Sequence, residues 1–142
     1  MTLSIIIPAY NEEKTIAAIL DRVREVQLTG GMEKELIIVD DHSSDGTASF
    51  IQAYSEKHPD DGICFFRHER NLGKGAALRT GIEHATGDFV VIQDADLEYD
   101  PNEYNLLLQP FLDGHADVVY GSRYSGGKAH RMLFFWHSFG NK

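Results

Sequence analysis

A single cysteine, Cys64, stands in a chain of 142 residues, which excludes an internal disulfide and any metal site built from clustered thiolates. It lies in the apolar run Ile63-Cys64-Phe65-Phe66 and is expected to be a buried, inert thiol in a reducing, cytosolic setting. Long hydrophobic runs are missing as well: none approaches the ~20 residues that cross a bilayer. The N-terminus has no basic region before Leu3 and meets Pro8 too early for a secretory signal. Positive charge is scarce, with 13 Lys and Arg against 22 Asp and Glu and a formal net charge of −9. Such a chain is a poor nucleic-acid binder, because phosphate backbones call for clustered Lys and Arg. The same field repels a diphosphate unless a cation or a few well-placed basic side chains screen it. No internal repeat, low-complexity tract or linker is evident before residue 122.

What is present is an ordinary globular composition, 42% hydrophobic and 25% charged, in a length that suits one domain. Strand-like and helix-like segments alternate. Residues 3–7, 36–39, 63–66, 89–92 and 117–120 are short apolar runs that read as five buried strands. Asn11 is expected to cap the first helix, with Glu12 and Glu13 in its first turn and Ile16, Ile19, Leu20, Val23 and Val26 on one face. Ser44 or Asp45 is expected to open a second helix that reaches Lys57 and is closed by His58-Pro59. A third helix begins near Gly73 with Leu78, Ile82 and Ala85 on one side. Asp100 and Pro101 mark the start of a fourth. The pattern predicts an α/β fold, a mostly parallel central sheet covered by helices on both faces. Residues 1–124 are expected to form one domain. Residues 125–142, opening on Ser125-Gly126-Gly127-Lys128, are expected to begin a further segment that is truncated at the C-terminus.

The polar residues cluster after strand ends, where ligands bind in open α/β sheets. Pro8-Ala9-Tyr10-Asn11-Glu12 follows the first strand and Asp40-Asp41 the second. Gln93-Asp94-Ala95-Asp96 follows the fourth and Gly121-Ser122-Arg123-Tyr124 the fifth. Asp94 and Asp96, with Glu98 two residues on, suit a hard divalent cation held through oxygen, which would offset the charge of a departing phosphate. Asp-x-Asp alone is common by chance and also reads as solvated carboxylates at a strand end; the other three clusters favour the metal. Asp40-Asp41 leads into a run rich in turn formers, and Asp41 is the better ligand contact of the two. Tyr10 can stack on a base, or pack as a loop aromatic at the core edge. Lys74, at a helix start, can approach a phosphate or be a plain surface lysine. Gly73-Lys74-Gly75 is neither a Walker loop, which needs Ser or Thr after Gly-Lys, nor a dinucleotide fingerprint, which needs Gly at position 78. Arg123 can clamp a diphosphate or an acceptor phosphate, against the alternative of a surface ion pair. The seven histidines show no helical metal-ligand pair and read mostly as surface or cap residues.

Taken in order, Pro8-Ala9-Tyr10-Asn11-Glu12, Val39-Asp40-Asp41 with Ser44-Asp45-Gly46-Thr47, Asn71-Leu72-Gly73-Lys74-Gly75, Gln93-Asp94-Ala95-Asp96-Leu97-Glu98 and Gly121-Ser122-Arg123-Tyr124 resemble glycosyltransferase family 2. Within it, the polyprenyl-phosphate branch typified by dolichyl-phosphate mannosyltransferase is the most similar. The resemblance implies a GT-A, Rossmann-like α/β/α sandwich and a nucleotide-diphospho-sugar donor. It implies Mg²⁺ or Mn²⁺ on Asp96, with Asp94 and Glu98 as further metal ligands. It implies donor contacts from Pro8, Ala9, Tyr10, Glu12, Val39, Asp41, Lys74, Asp94, Ala95 and Asp96, and acceptor contacts from Arg123 and Arg131. Asp94, Asp96 and Arg123 form the implied catalytic group.

The expected reaction is inverting transfer of a sugar to a dolichyl or undecaprenyl phosphate at the cytoplasmic membrane face. A saccharide hydroxyl is the alternative acceptor. A hydroxyl needs a general base, and none is evident; a lipid phosphate is already an anion. No nucleic-acid partner is expected, while peripheral membrane association and self-association stay open. One rival is a nucleotide-sugar-binding module without turnover. The other is a signalling receiver, whose acidic pair the run Ile37-Ile38-Val39-Asp40-Asp41 resembles; that pair follows the first strand in receivers and the second here.

Overall fold

The computed structural model describes residues 1–121. The chain divides into two compact units, Met1–Asn105 and Leu106–Lys142. In the first, β1 (Thr2–Ala9), β2 (Glu33–Asp40), β3 (Ile63–Arg67) and β4 (Phe89–Ile92) form a sheet of order β3-β2-β1-β4. Every pairing is parallel. The helices between strands are α1 (Ile16–Glu25), α2 (Thr47–Lys57) and α3 (Lys74–His84), and α4 (Tyr104–Leu112) follows β4. The first two connections step outward from β1 to β3, whereas α3 carries the chain back across β2 and β1 to β4. The reversal makes β1 and β4 a topological switch point, with a crevice beyond their carboxyl ends.

The central stretches of β1 and β2, residues 5–7 and 36–39, are apolar because both faces of the sheet are covered there. Ile6, Ile37 and Val39 are fully buried with Ala77 of α3. Their neighbours Ile5, Ile7, Leu36 and Ile38 point the other way by strand alternation and are equally buried. α1 and α2 add Ile16, Ile19, Leu20, Val23 and Ile51 to the core. Pro8 sits inside β1, a central strand, which proline normally avoids. The Ile6 carbonyl accepts from Gln93 on the β4 side, and the Ala9 carbonyl accepts from Asp41 on the β2 side. Alternation turns the Pro8 nitrogen toward the β4 side, beyond the last paired residue, so no ladder bond is lost. The break opens the wall of the crevice.

Several local expectations are corrected. Asn11 does not cap α1. It has a left-handed φ of 54°, its side-chain oxygen accepts from the Ser44 amide at 2.9 Å, and the helix begins five residues later at Ile16. The Asn11-Glu12 turn is spent on tying the β1 and β2 loops together. α2 starts at Thr47 rather than at Ser44 or Asp45, because Asp45 accepts from both the Thr47 amide and hydroxyl. Cys64 is exposed: β3 is the sheet's edge, where an apolar run need not mean burial. Leu78 and Ala85 pack against the core as expected, but Ile82 is 54% exposed, and the fully buried positions of α3 are Ala77 and Gly81. A Cβ at Gly81 would stand 2.4 Å from Ile6 Cγ2, so a small residue lets the helix lie close to the strand.

In the second unit, the described part completes α4, with Pro110 inside it, and turns at Gly114, φ 69°. Residues 117–120 form no strand, because no described neighbour pairs with so short a run. The expected division at 124/125 lies outside the described residues.

Candidate functional site

The crevice beyond β1 and β4 is a cleft of about 250 Å³. Pro8, Ala9, Tyr10 and Glu12 line it from the end of β1, Asp41 from β2, and Asn71, Gly73, Lys74 and Ala77 from the start of α3. Asp94, Ala95 and Asp96 line it from the end of β4. Three of the four strand-end clusters singled out in the sequence therefore meet. Of the fourth, only Gly121 is described; Arg123 and Arg131 lie outside the described residues. Val39 is fully buried in the core, and neither it nor Glu98 lines the cleft.

Each wall is held by buried polar groups. Asp40 is completely buried beside Arg67 Nε at 3.0 Å and accepts from the Ser43 amide and hydroxyl. Its charge is thereby compensated, and it shapes the turn rather than facing a ligand. Asp41, one residue on, accepts from the Leu72 amide at 2.9 Å and the Gly73 amide at 2.7 Å. His68 Nδ1 lies 2.7 Å from the same carboxylate, and its Nε2 lies 3.0 Å from the Thr80 hydroxyl of α3. Burial opposes ionisation of Asp41, yet the two amides and the imidazole prevail and hold its pKa below the ordinary aspartate value. Asp41 thus draws the Leu72-Gly73 loop onto β2. Gly73 takes a φ of 89°, a backbone that favours glycine, and the first turn of α3 is aimed at the cleft.

Opposite, Gln93 is buried where β4 ends. It accepts from Tyr104 Oη at 2.7 Å and donates to the Asp94 carbonyl at 3.1 Å. This pair fixes the turn that carries the two aspartates. Asp96 Oδ1 accepts from the Glu98 amide at 3.1 Å, and Leu97 has a left-handed φ of 64°. The chain bends sharply there, and among the described residues no three His, Cys, Asp or Glu side chains converge as metal ligands. Asp94, Asp96 and Glu98 therefore do not form a three-carboxylate cage. Asp94 Oδ1 instead holds the Lys74 ammonium at 2.6 Å. Two carboxylates on one wall, already attracting a cation, fit Mg²⁺ or Mn²⁺. Such ions bind through one or two carboxylates and complete their shell with water and substrate phosphates.

The sequence pattern of family 2 glycosyltransferases covers residues 4–132. The chain belongs to glycosyl transferase family 2. This family 2 chain is 33% identical over 136 residues to a dolichol-phosphate mannosyltransferase from Pyrococcus furiosus, covering 95% of itself and 37% of that enzyme. It is 34% identical to an undecaprenyl-phosphate 4-deoxy-4-formamido-L-arabinose transferase from Shewanella sediminis, over 82% of the chain and 35% of the relative. A solved mannosyltransferase from Pyrobaculum calidifontis, in complex with GDP-Man and Mn²⁺, matches at 38% identity and a TM-score of 0.61, over 66% of this chain and 27% of that one. The fold is that of the GT-A enzymes. The family 2 chain spans about a third of the length of these curated relatives.

His68 is the site residue that sequence reading missed. A histidine among seven carries no spacing signal, and its role depends on β3 ending beside both Asp41 and α3. Asn71 and Ala77 were likewise not singled out as cleft residues.

Proposed function

We propose that this family 2 chain binds a nucleotide-diphospho-sugar across the β1 and β4 strand ends and transfers the sugar, with inversion, to a polyprenyl phosphate. The observation that supports this most is the convergence of Tyr10, Asp41, Lys74, Asp94 and Asp96 on one cleft. Tyr10 is half-exposed at its mouth, where its ring can stack on the base. Asp41 keeps the Leu72-Gly73 loop in place, so that the amides at the start of α3 and the Lys74 ammonium face the diphosphate. Asp94 and Asp96 would hold a divalent cation, Mg²⁺ or Mn²⁺. When bound, the cation offsets the negative charge that develops on the departing nucleotide diphosphate.

The relatives named for dolichol-phosphate and undecaprenyl-phosphate transfer favour a lipid phosphate over a saccharide hydroxyl. A phosphate acceptor is anionic at neutral pH, so it needs placement and no general base. Arg123 and Arg131 are proposed to supply that placement. No helix among the described residues is long and apolar enough to cross a membrane, so contact with a lipid acceptor would be peripheral for this part of the chain.

A single-turnover assay tests the reading. Radiolabelled GDP-mannose or a UDP-hexose is mixed with excess chain, Mn²⁺ and a short-chain polyprenyl phosphate. Label in the lipid fraction is the expected result, and label on an added oligosaccharide points to the hydroxyl acceptor. Tight donor binding with neither transfer nor hydrolysis means a binding module.

A further inference from the structure

The cleft lining is electrically lopsided. Glu12, Asp41, Asp94 and Asp96 bring four carboxylates, and Lys74 is the one basic side chain among the described lining residues. Three of the four are engaged by the fold, Asp96 through the Glu98 amide. Asp41 accepts from two backbone amides and lies against His68, and Glu12 accepts from the Thr15 hydroxyl at 2.7 Å. Asp94 differs, because its partner is a side-chain ammonium, Lys74 Nζ at 2.6 Å, on a side chain 59% exposed. Lys74 is anchored at its backbone, as the first residue of α3, while its four-carbon stem leaves the charge free to swing. The tip therefore has two places to go, the Asp94 carboxylate and the space in front of the helix N-terminus.

We propose that Lys74 is an internal counter-ion that competes with the divalent cation for Asp94 and moves to the donor's diphosphate when the donor arrives. The proposal rests on the cation-assisted donor reading given above and adds an order to it. An ammonium touching Asp94 repels a divalent ion approaching the same carboxylate, so metal alone binds weakly. A diphosphate offers the ammonium a stronger pair of acceptors, which frees Asp94. Metal and nucleotide diphosphate then help each other bind, and the coupling is reciprocal. Lys74 sets that coupling: without it the metal loses a competitor and the donor loses a contact, so the two effects run in opposite directions. A lysine that only neutralised charge would change metal affinity while leaving donor affinity and the coupling as they are. A lysine that only contacted phosphate would change donor affinity alone.

The test is Mn²⁺ binding to the full chain, read from the free-ion paramagnetic resonance signal, for wild type, Lys74→Gln and Lys74→Arg, with and without GDP or UDP. Lys74→Gln is expected to bind Mn²⁺ alone more tightly than wild type, by about fivefold from loss of one partly screened pair and its repulsion. It is also expected to bind the nucleotide more weakly and to lose most of the increase in Mn²⁺ affinity that nucleotide causes. Lys74→Arg, which keeps the charge, should stay near wild type for Mn²⁺ alone. Equal or weaker Mn²⁺ binding by Lys74→Gln overturns the proposal while leaving the donor site standing. Mn²⁺ binding by neither protein, with nucleotide present, overturns both the counter-ion and the cation-assisted site. Mn²⁺ binding by Lys74→Gln without nucleotide, together with binding by wild type that appears or strengthens only when nucleotide is added, supports both.

Discussion

Asp41 is the side chain on which the most local structure depends. Its carboxylate is shared by two amides and an imidazole, and its pKa is depressed although burial pushes the other way. A depressed carboxyl stabilises the fold fully above the ordinary aspartate value of 3.8 and loses that contribution as pH falls through the lower folded value. Glu35 follows the same rule. Burial opposes its ionisation, but Ser4, Thr86 and Gly87 hydrogen bonds hold its pKa down. Urea midpoints should therefore fall steeply on acidification below pH 4, and Asp41→Asn should flatten part of that slope. An unchanged slope in the variant would assign the acid sensitivity elsewhere. Tyr104 makes a second residue-scale case. Removing its hydroxyl leaves the buried Gln93 oxygen without its partner, at a cost of about 1–3 kcal/mol. Tyr104→Phe should show this in urea unfolding and should loosen the Asp94-Asp96 turn, weakening metal binding while donor-base affinity holds.

At the scale of elements, α3 joins the site to the core. Its first turn reaches the cleft through Gly73 and Lys74, and its third lies against β1 through Gly81. Gly81→Ala would normally favour a helix, by about 1 kcal/mol. Here the added methyl meets Ile6 at 2.4 Å, and overpacking costs about 1–3 kcal/mol. The variant should be destabilised on balance, and Ile6→Val in the same chain should recover part of the loss; a stabilised single variant would mean that α3 sits less tightly than described. This element also shows where sequence patterning misleads. Leu78, Ile82 and Ala85 satisfy helical spacing, and Leu78 and Ala85 do pack on the core, yet Ile82 is exposed and the closest approach is made by small residues, because nearness to the sheet rewards the absence of a side chain. Cys64 errs for the complementary reason: an apolar run marks a strand, but whether its outer neighbour exists is a matter of sheet order. By contrast the apolar centres of β1 and β2 were legible, because both faces are covered there; the polar ends Glu33-Lys34-Glu35 and Asp40, which extend β2 beyond residues 36–39, were not.

For the whole molecule, strand order decides the site. The switch point between β1 and β4 brings Tyr10 to Asp94 and Asp96, more than 80 residues away in sequence. The alternation of elements and the acidic strand ends were enough to anticipate that meeting. What spacing alone did not carry was the partnering inside the cleft: His68 on Asp41, Lys74 on Asp94, and the bend at Leu97 that turns Glu98 from the lining. Those contacts depend on loop paths, where one left-handed residue redirects a carboxylate. The net charge of −9 completes the molecular-scale argument, because a doubly charged phosphate ligand has little reason to enter this cleft unaided. Calorimetric titration with GDP and with UDP, in Mn²⁺ and again in excess chelator, puts that directly to the test for wild type and Asp96→Asn. The account predicts that one of the nucleotides binds wild type in Mn²⁺, that chelator weakens it at least about tenfold, a difference of about 1.4 kcal/mol, and that Asp96→Asn binds as weakly in Mn²⁺ as wild type does in chelator. Equal affinity with and without the metal, in a chain that binds the nucleotide well, would contradict it.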